Sequence, residues 1–507
     1  MQASSPLTVP ASRVRRSTGK RSITGSRRSP DSLRARRALG ALGLLCVLST
    51  VFLITAGAAS SPSQYVPARS GGWPGWLAGP LQGLGVGLSS GRFQTLTLIM
   101  AAGYVAVLFA SSTLSGRAIW ATIIAAHLVL LLGPPLLSQD VFGYLDFARL
   151  GALHGLDPYT HVAAQAPTDP VYLFVGWPFQ NSPYGPLFTL GSYAVAPLGL
   201  AGGLWALKAL AVATSLTAIA LVARAAGKEG HSRRFTAVFV GLNPVLLELA
   251  VGGDHNDTLL LLALAAALLL TAGANPRFRA GAIALVAGIG IKVTAGLALP
   301  FLLLGAGGDR VISRERLRVV AAAALSLALV AVIGLIGFGS HAFGFAGAVS
   351  EQQQLVATHS IPAETARLVG LGGTPSWWRH CFLVGFTVVL IYALWRTLRG
   401  ADWRVAAGWT TLALLLSTAW LLPWYAIWAL PLAAVSGDRR LRAATLVFCA
   451  YALLIHLPLA NGPLSPRHVT CHTRKDCTPG GGFRLGGHRI HLTGLQVPGH
   501  VTLDLHR

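Results

Sequence analysis

Apolar runs of about 20 residues recur along most of this chain, and no other feature restricts its fold as strongly. An α-helix needs a run of this length to cross the hydrocarbon core of a bilayer. Only 11% of the 507 residues are charged, whereas a soluble chain of this size carries roughly 25%. The sequence therefore predicts an all-α polytopic membrane protein with roughly 11 to 13 membrane segments.

The formal net charge of +23 comes from arginines that stand mostly in short clusters between the apolar runs. Such clusters mark the cytoplasmic loops of membrane proteins, so the charge predicts an orientation and no nucleic-acid partner. The N-terminus is placed in the cytoplasm, and residues 138–186 and 252–257 are placed on the outer face. The predicted spans lie at about 39–58, 94–112, 118–137, 204–223, 235–252, 258–274, 319–338, 380–397, 405–422 and 443–459.

Three further apolar segments do not fit a simple span. Residues 187–201 predict a short, partly inserted helix. One helix over residues 280–306 would place the following arginine cluster outside, so two half-helices that meet near Lys292 are predicted instead. The segment that begins at Pro423 predicts a short return towards the cytoplasm.

The composition divides the chain into three parts. Residues 1–38 are rich in serine and arginine and predict a basic, disordered cytoplasmic tail. Residues 39–460 form the predicted multi-pass domain in the plasma membrane. From about residue 461 the apolar pattern ends, and residues 461–507 predict either a polar extracytoplasmic tail or the product of an altered reading frame.

Polar residues collect in the predicted outer loops, which is unusual in so apolar a chain. Carboxylates are costly near a membrane and are kept where they have a role. Carboxylates beside aromatic rings suit sugar binding, and a lysine at membrane depth suits a lipid-linked phosphate. The candidate site residues are Asp140, Tyr144, Asp157, Tyr159, His161, Tyr184, Asp254, His255, Asn256, Asp257 and Lys292.

Five stretches resemble a known family. They are DVFGY with GLDPYTH, SPYGPLF, LNPVLLELAVGGDHNDTLLL, IKVTAGLALPF and LPWYAIWALPL, and together they cover about residues 100–435. On these motifs the chain resembles the polyprenyl-phosphate-mannose-dependent α-1,6-mannosyltransferases of actinobacteria, which are integral-membrane GT-C glycosyltransferases. The resemblance implies a helical bundle with a catalytic loop on the outer face.

The resemblance also implies a reaction. A polyprenyl-phosphate sugar is the expected donor and a glycolipid the expected acceptor, a cell-envelope mannan of the lipomannan or lipoarabinomannan type. Asp140 matches the family's general base, Lys292 is expected to bind phosphate, and the other candidates are expected to bind substrate. No cofactor is predicted, and the need for a divalent metal is left open. The alternatives are transfer of another sugar and movement of a lipid-linked sugar across the membrane.

Several candidates also have a structural interpretation. Asp140 could cap the following helix, since carboxylates favour helix N-termini. Asp157 stands before a proline, where turn formation explains both residues. The turn before residue 258 could be only a helix cap, Tyr184 could be an interfacial anchor, and Lys292 could extend towards the membrane interface.

Two other groups are interpreted as structural. Asp146 and Arg149 stand three residues apart on a predicted helix and are expected to pair. The aromatic residues after Pro423 are expected to form a belt at the membrane interface. They are Trp424, Tyr425 and Trp428.

Overall fold

The computed structural model describes residues 29–60, 65–66, 74–308 and 312–457, together with three short strands near the C-terminus. The helical fold confirms the predicted class. The α-helices are α1 (Pro30–Ser60), α2 (Gly75–Ala78), α3 (Ser90–Ala110), α4 (Gly116–Leu132), α5 (Asp140–His154), α6 (Pro186–Ser192), α7 (Gly199–Lys228), α8 (Arg233–Gly241), α9 (Asp257–Thr271), α10 (Phe278–Ile291), α11 (Leu299–Gly305), α12 (Arg314–Phe338), α13 (Phe345–Gln352), α14 (Ile361–Leu368), α15 (Ser376–Leu398), α16 (Trp403–Ser417), α17 (Leu430–Ser436) and α18 (Arg439–Leu454).

Shorter elements connect these helices. The 3₁₀ helices are Ala163–Gln165, Pro170–Leu173, Tyr193–Leu198, Val293–Ala298, Gly339–His341 and Pro423–Ala429, and Val245–Val251 is a π-helix. The strands β1 (Phe483–Leu485), β2 (His488–Leu492) and β3 (Leu503–Asp504) pair antiparallel in the order β1-β2-β3.

Five described helical segments are long and apolar enough to cross a membrane. They are Pro30–Ser60, Ser90–Ala110, Pro186–Lys228, Arg314–His341 and Ser376–Leu398, and a bent pair would make a sixth. Four shorter apolar helical segments accompany them, Gly116–Leu132, Asp257–Thr271, Phe278–Ile291 and Val293–Gly305. The protein is therefore a membrane protein, while the predicted total of 11 to 13 segments and their orientation stay predictions.

The first helix starts earlier than the composition indicated. It begins at Pro30, so the expected boundary at residue 38 falls inside α1. The three arginines of its first turns are helical, since arginine is a good helix former. Residues 1–28 of the expected tail, and residues 461–507 apart from the three strands, lie outside the described residues.

The predicted span at 235–252 is not one straight helix. It is α8 followed by the π-helix Val245–Val251, with a bend of 46° between them. Pro244 stands at the break, and proline has no N–H to continue the helical hydrogen bonds. The bend places the end of the π-helix, and the turn after it, beside the start of α5, where the N–H of Leu136 donates to the carbonyl of Gly252 at 2.7 Å.

The predicted break at Lys292 is confirmed. α10 ends at Ile291, and Lys292 has an extended backbone, with φ −148° and ψ 123°, before the 3₁₀ helix Val293–Ala298 and α11. α9 packs between α7 and α10, so the break lies next to the start of α9. The lysine and the GGDHND turn therefore meet in one region of the bundle.

Candidate active site

Asp140 is the first residue of α5. Its backbone N–H donates to the hydroxyl of Ser138 at 3.2 Å, and Leu137 just before has a φ of 64°. Gln139 occupies the N-cap position, so the helix start does not support the capping alternative for Asp140. A carboxylate in the first turn is favoured by the helix dipole. The side chain keeps 22% of its surface exposed and is free to face a ligand.

The imidazole of His255 lies against Asp140. Its Nδ1 is 3.1 Å from Oδ2 of Asp140, although the approach does not have hydrogen-bond geometry, and its buried ring stacks on Trp424 with centroids 3.7 Å apart. Among the described residues, Nε2 of His255, Nδ2 of Asn256 and Nε1 of Trp424 are buried without a hydrogen-bond partner. Since buried polar groups are nearly always paired, this cluster beside a carboxylate indicates a site for an oxygen-rich ligand.

Tyr144 connects α5 to the GGDHND turn. Its hydroxyl accepts from the backbone N–H of Asn256 at 3.2 Å and donates to the Oδ1 of Asn256 at 3.4 Å. Burial, Tyr184 and the carboxylates of Asp140 and Asp257 raise the pKa of Tyr144 well above its ordinary value of 10. Because Tyr144 stands on α5 and contacts Asn256, the residue before Asp257, it brings the starts of α5 and α9 together.

Lys292 and Asp257 form a buried ion pair. The Nζ of Lys292 lies 2.8 and 2.9 Å from the two oxygens of Asp257, and the indole N–H of Trp428 donates to the same carboxylate at 2.6 Å. The Asp257 side chain is fully buried, while Lys292 is 13% exposed. An ammonium has three N–H bonds, so this pair leaves one for an anionic ligand.

Aromatic rings surround this lysine. Its Nζ lies 5.1 Å from the ring centroid of Tyr425, 5.6 Å from that of Trp428 and 5.9 Å from that of Tyr184, within the range of cation–π attraction. The aromatic-belt interpretation is wrong for Trp424 and Trp428, because they are only 7% and 6% exposed. They pack on the GGDHND turn instead, with Trp424 on His255 and Trp428 on Asp257.

Asp254 pairs with a residue that the sequence reasoning missed. Its carboxylate lies 3.2 Å from the Nζ of Lys208 on α7, and both side chains are 1% exposed. The backbone of Asp254 has a φ of 55°, which a non-glycine residue adopts only where the surroundings hold it. The geometry favours a role in holding the turn, and direct substrate contact by Asp254 stays a prediction. A lone lysine in an apolar run was the signal that could have found Lys208.

The GLDPYTH stretch folds as a turn. Oδ1 of Asp157 accepts from the backbone N–H of Tyr159 at 2.9 Å, and its Oδ2 lies 3.1 Å from Nδ1 of His341. The hydroxyl of Tyr159 donates to the carbonyl of Tyr184 at 2.8 Å, and Nδ1 of His161 lies 3.2 Å from the carbonyl of Asp157. This stretch therefore contacts the SPYGPLF segment and helps to hold it in place. Contacts of Asp157, Tyr159 and His161 with substrate stay predictions.

Asp146 does not form the expected ion pair with Arg149. The arginine Nε lies 2.8 Å from Asp169, which also lies 2.7 Å from Nε2 of His154. Burial and the neighbouring Asp169 raise the pKa of Asp146 to about 7, against a smaller opposite effect of Arg149. Between about pH 4 and pH 7 the folded protein therefore holds a proton on Asp146 that the unfolded chain has lost. The free energy of unfolding falls as the pH rises through this range.

The structure thus joins most candidates in two neighbouring clusters. One holds Asp140, His255 and Asn256, the other holds Asp257 and Lys292, and the aromatic rings lie around them. Within the described part of the chain, no group of three or more histidine, cysteine, aspartate or glutamate residues has a metal-binding arrangement.

Comparisons with known proteins find relatives of this chain. A family model described as "Alpha-(1->6)-mannopyranosyltransferase, N-terminal domain" matches residues 37–308, and one described as "MptB C-terminal domain" matches residues 367–471. A protein of Mycobacterium tuberculosis named "Alpha-(1->6)-mannopyranosyltransferase A" is 29% identical over 80% of this chain and 82% of its own length. A protein of the same name from Corynebacterium glutamicum is 32% identical over 36% of this chain and 37% of its own length. No solved structure matches the chain.

Proposed function

Since the chain belongs to the alpha-(1->6)-mannopyranosyltransferase family and is a membrane glycosyltransferase, we propose that it transfers mannose from a polyprenyl phosphate to a cell-envelope mannan, with inversion and formation of α-1,6 links. The family sets the sugar. The geometry around Asp140 supports the donor class and the type of displacement.

The main support for this function is the group of buried nitrogens beside Asp140 that have no hydrogen-bond partner. His255 holds two of these nitrogens, Asn256 and Trp424 hold one each, and the carboxylate of Asp140 is partly exposed beside them. A sugar offers several hydroxyl oxygens to such donors, and a reacting hydroxyl can give its proton to the carboxylate. An apolar ligand at the same cluster would leave these nitrogens without hydrogen bonds.

One carboxylate suffices for a direct displacement from a lipid phosphate. An acceptor hydroxyl oxygen attacks C1 of a β-linked mannosyl phosphate, its proton passes to Asp140, and the C1–O bond breaks. The bonding electrons leave with the polyprenyl phosphate. Phosphate is already a good leaving group, and Lys292 stabilises its charge through the N–H that Asp257 does not use. The product is then an α-linked mannoside.

We place this pocket on the outer face of the plasma membrane and the N-terminus in the cytoplasm. The charge distribution supports this orientation, because arginine clusters alternate along the chain with the carboxylate-bearing loops. A lipid phosphosugar is a donor that such a face can receive from the bilayer itself. The acceptor is then a glycolipid held in the same membrane.

The test is the product that the purified chain makes from radiolabelled polyprenyl-phosphomannose and an α-1,6-mannotriose acceptor in proteoliposomes. A labelled mannotetraose with an α-1,6 link is the expected product. If the label only crosses the bilayer on its lipid, the chain is a transporter. If the label enters the acceptor from a nucleotide sugar instead, the proposed donor is wrong.

A further inference from the structure

A pair of tryptophans bridges two segments beside Asp140. Trp177 follows the 3₁₀ helix Pro170–Leu173, and Trp420 follows α16, yet their rings pack edge to face with centroids 5.9 Å apart. Both side chains are only partly buried. Indole rings that are neither in the core nor fully exposed offer an apolar surface with a polar N–H at its edge.

The surrounding contacts tie this pair to the pocket. Gly176 abuts the side chain of Gln139, the residue before Asp140, so closely that a methyl group at position 176 would overlap it. Trp420 stands four residues before Trp424, whose ring stacks under His255. Trp177 is thus next in sequence to a residue that contacts Gln139, and Trp420 stands four residues from the one whose ring stacks on His255.

A third segment reaches the same place. The backbone N–H of Ala357, in the long stretch between α12 and α15, donates to the carbonyl of Ala419 at 2.8 Å, next to Trp420. Three connecting segments therefore meet around the tryptophan pair. The pair lies where these segments meet, close to Gln139 and therefore close to the start of α5.

A membrane belt does not account for these two residues. Belt tryptophans stand on lipid-facing helices, as Trp377 does on α15, where it is 54% exposed and packs edge to face on its neighbour Trp378 at 5.4 Å. Trp177 and Trp420 instead contact each other across segments that are far apart in the sequence. Their partly exposed rings stand on connecting segments and not along a helix face.

We propose that Trp177 and Trp420 form the acceptor subsite, where the apolar face of a hexose ring of the mannan packs on the indoles while its hydroxyl group reaches Asp140. This inference rests on the proposed function. It assigns the acceptor to the tryptophan pair and the donor phosphate to Lys292. Hexose rings have an apolar C–H face, and aromatic side chains bind such surfaces with contacts worth about 1 kcal/mol each.

The experiment measures transfer from polyprenyl-phosphomannose to α-1,6-mannotriose by Trp177→Ala and Trp420→Ala. Each change should raise the KM for mannotriose about fivefold, since a contact of about 1 kcal/mol is lost. The KM for the donor and kcat should stay near those of the unaltered protein. Trp177→Phe and Trp420→Phe, which keep a ring, should retain most of the acceptor affinity. Trp377→Ala is the matched control and should change neither KM.

An unchanged mannotriose KM in both alanine variants, or an equal rise in the donor KM, would overturn the acceptor subsite. Failure of the proposed function looks different, because the unaltered protein would then make no mannotetraose. Where an alanine variant does not fold, the fluorescence change of the unaltered protein on mannotriose addition decides. It should be smaller in Trp177→Phe, and a change of the same size would contradict the assignment.

Discussion

Removing the cation of Lys292 should destabilise the protein and weaken donor binding as two separable effects. In Lys292→Met the fully buried carboxylate of Asp257 loses the ammonium 2.8 Å away and keeps the indole N–H of Trp428. Removal of one partner from a buried ion pair costs about 3–5 kcal/mol. For a chain of this size the thermal midpoint in detergent should fall by about 5 °C.

A double variant separates the two effects. Asp257→Asn together with Lys292→Met leaves no unpaired charge, and the asparagine oxygen still accepts from Trp428, so most of the lost stability should return. The donor KM should remain raised, because the phosphate still lacks its cation. Lys208→Met, which breaks the other buried pair, is the control for the stability measurement and should lower the midpoint similarly.

Thermal unfolding and initial transfer rates at varied donor concentration measure the two quantities. An unchanged midpoint in Lys292→Met would show that the ion pair does not hold this region together. Recovery of the donor KM in the double variant would show that Lys292 acts only by neutralising Asp257. Either result would refute the corresponding part of the reasoning.

Three further predictions concern single substitutions. Asp146→Asn should raise the thermal midpoint at pH 8 and leave it nearly unchanged at pH 4, because above its raised pKa of about 7 the folded protein must bury a charged Asp146 carboxylate, which asparagine avoids. Equal midpoints of the two proteins at pH 8 would contradict this. Gly143→Leu, one turn after Asp140 and facing open space, should lower transfer by about tenfold without changing the midpoint, since it fills room beside the carboxylate. Gly185→Ala would overlap the backbone carbonyl of Gly290 and should destabilise by about 1–3 kcal/mol, measured by thermal unfolding.

The sequence predicted the local features of the site well. The break at Lys292 followed from the cost of placing an arginine cluster outside, and the extended backbone there confirms it. The position of Asp140 directly after a membrane segment followed from the change from apolar to polar residues. The bend at Pro244 could have been predicted from the missing N–H of proline, and was not.

The long-range contacts could not be predicted in the same way. Lys208 and Asp254 are 46 residues apart, and they meet only because α7 packs on α9. Asp146 and Arg149 have the spacing of a helix pair, yet Asp169 competes for the arginine from another segment. Trp428 is buried because the 3₁₀ helix Pro423–Ala429 packs on α9. Periodicity gives each helix face but not the partner that covers it.

The transfer rate of Asp140→Asn, with the purified protein, polyprenyl-phosphomannose and α-1,6-mannotriose, tests the central claim most directly. The substitution keeps the size of the side chain and removes its ability to accept a proton. The rate should fall by at least about 100-fold, the usual contribution of a general base, with an unchanged thermal midpoint. A rate near that of the unaltered protein would contradict the assignment of Asp140 as the base.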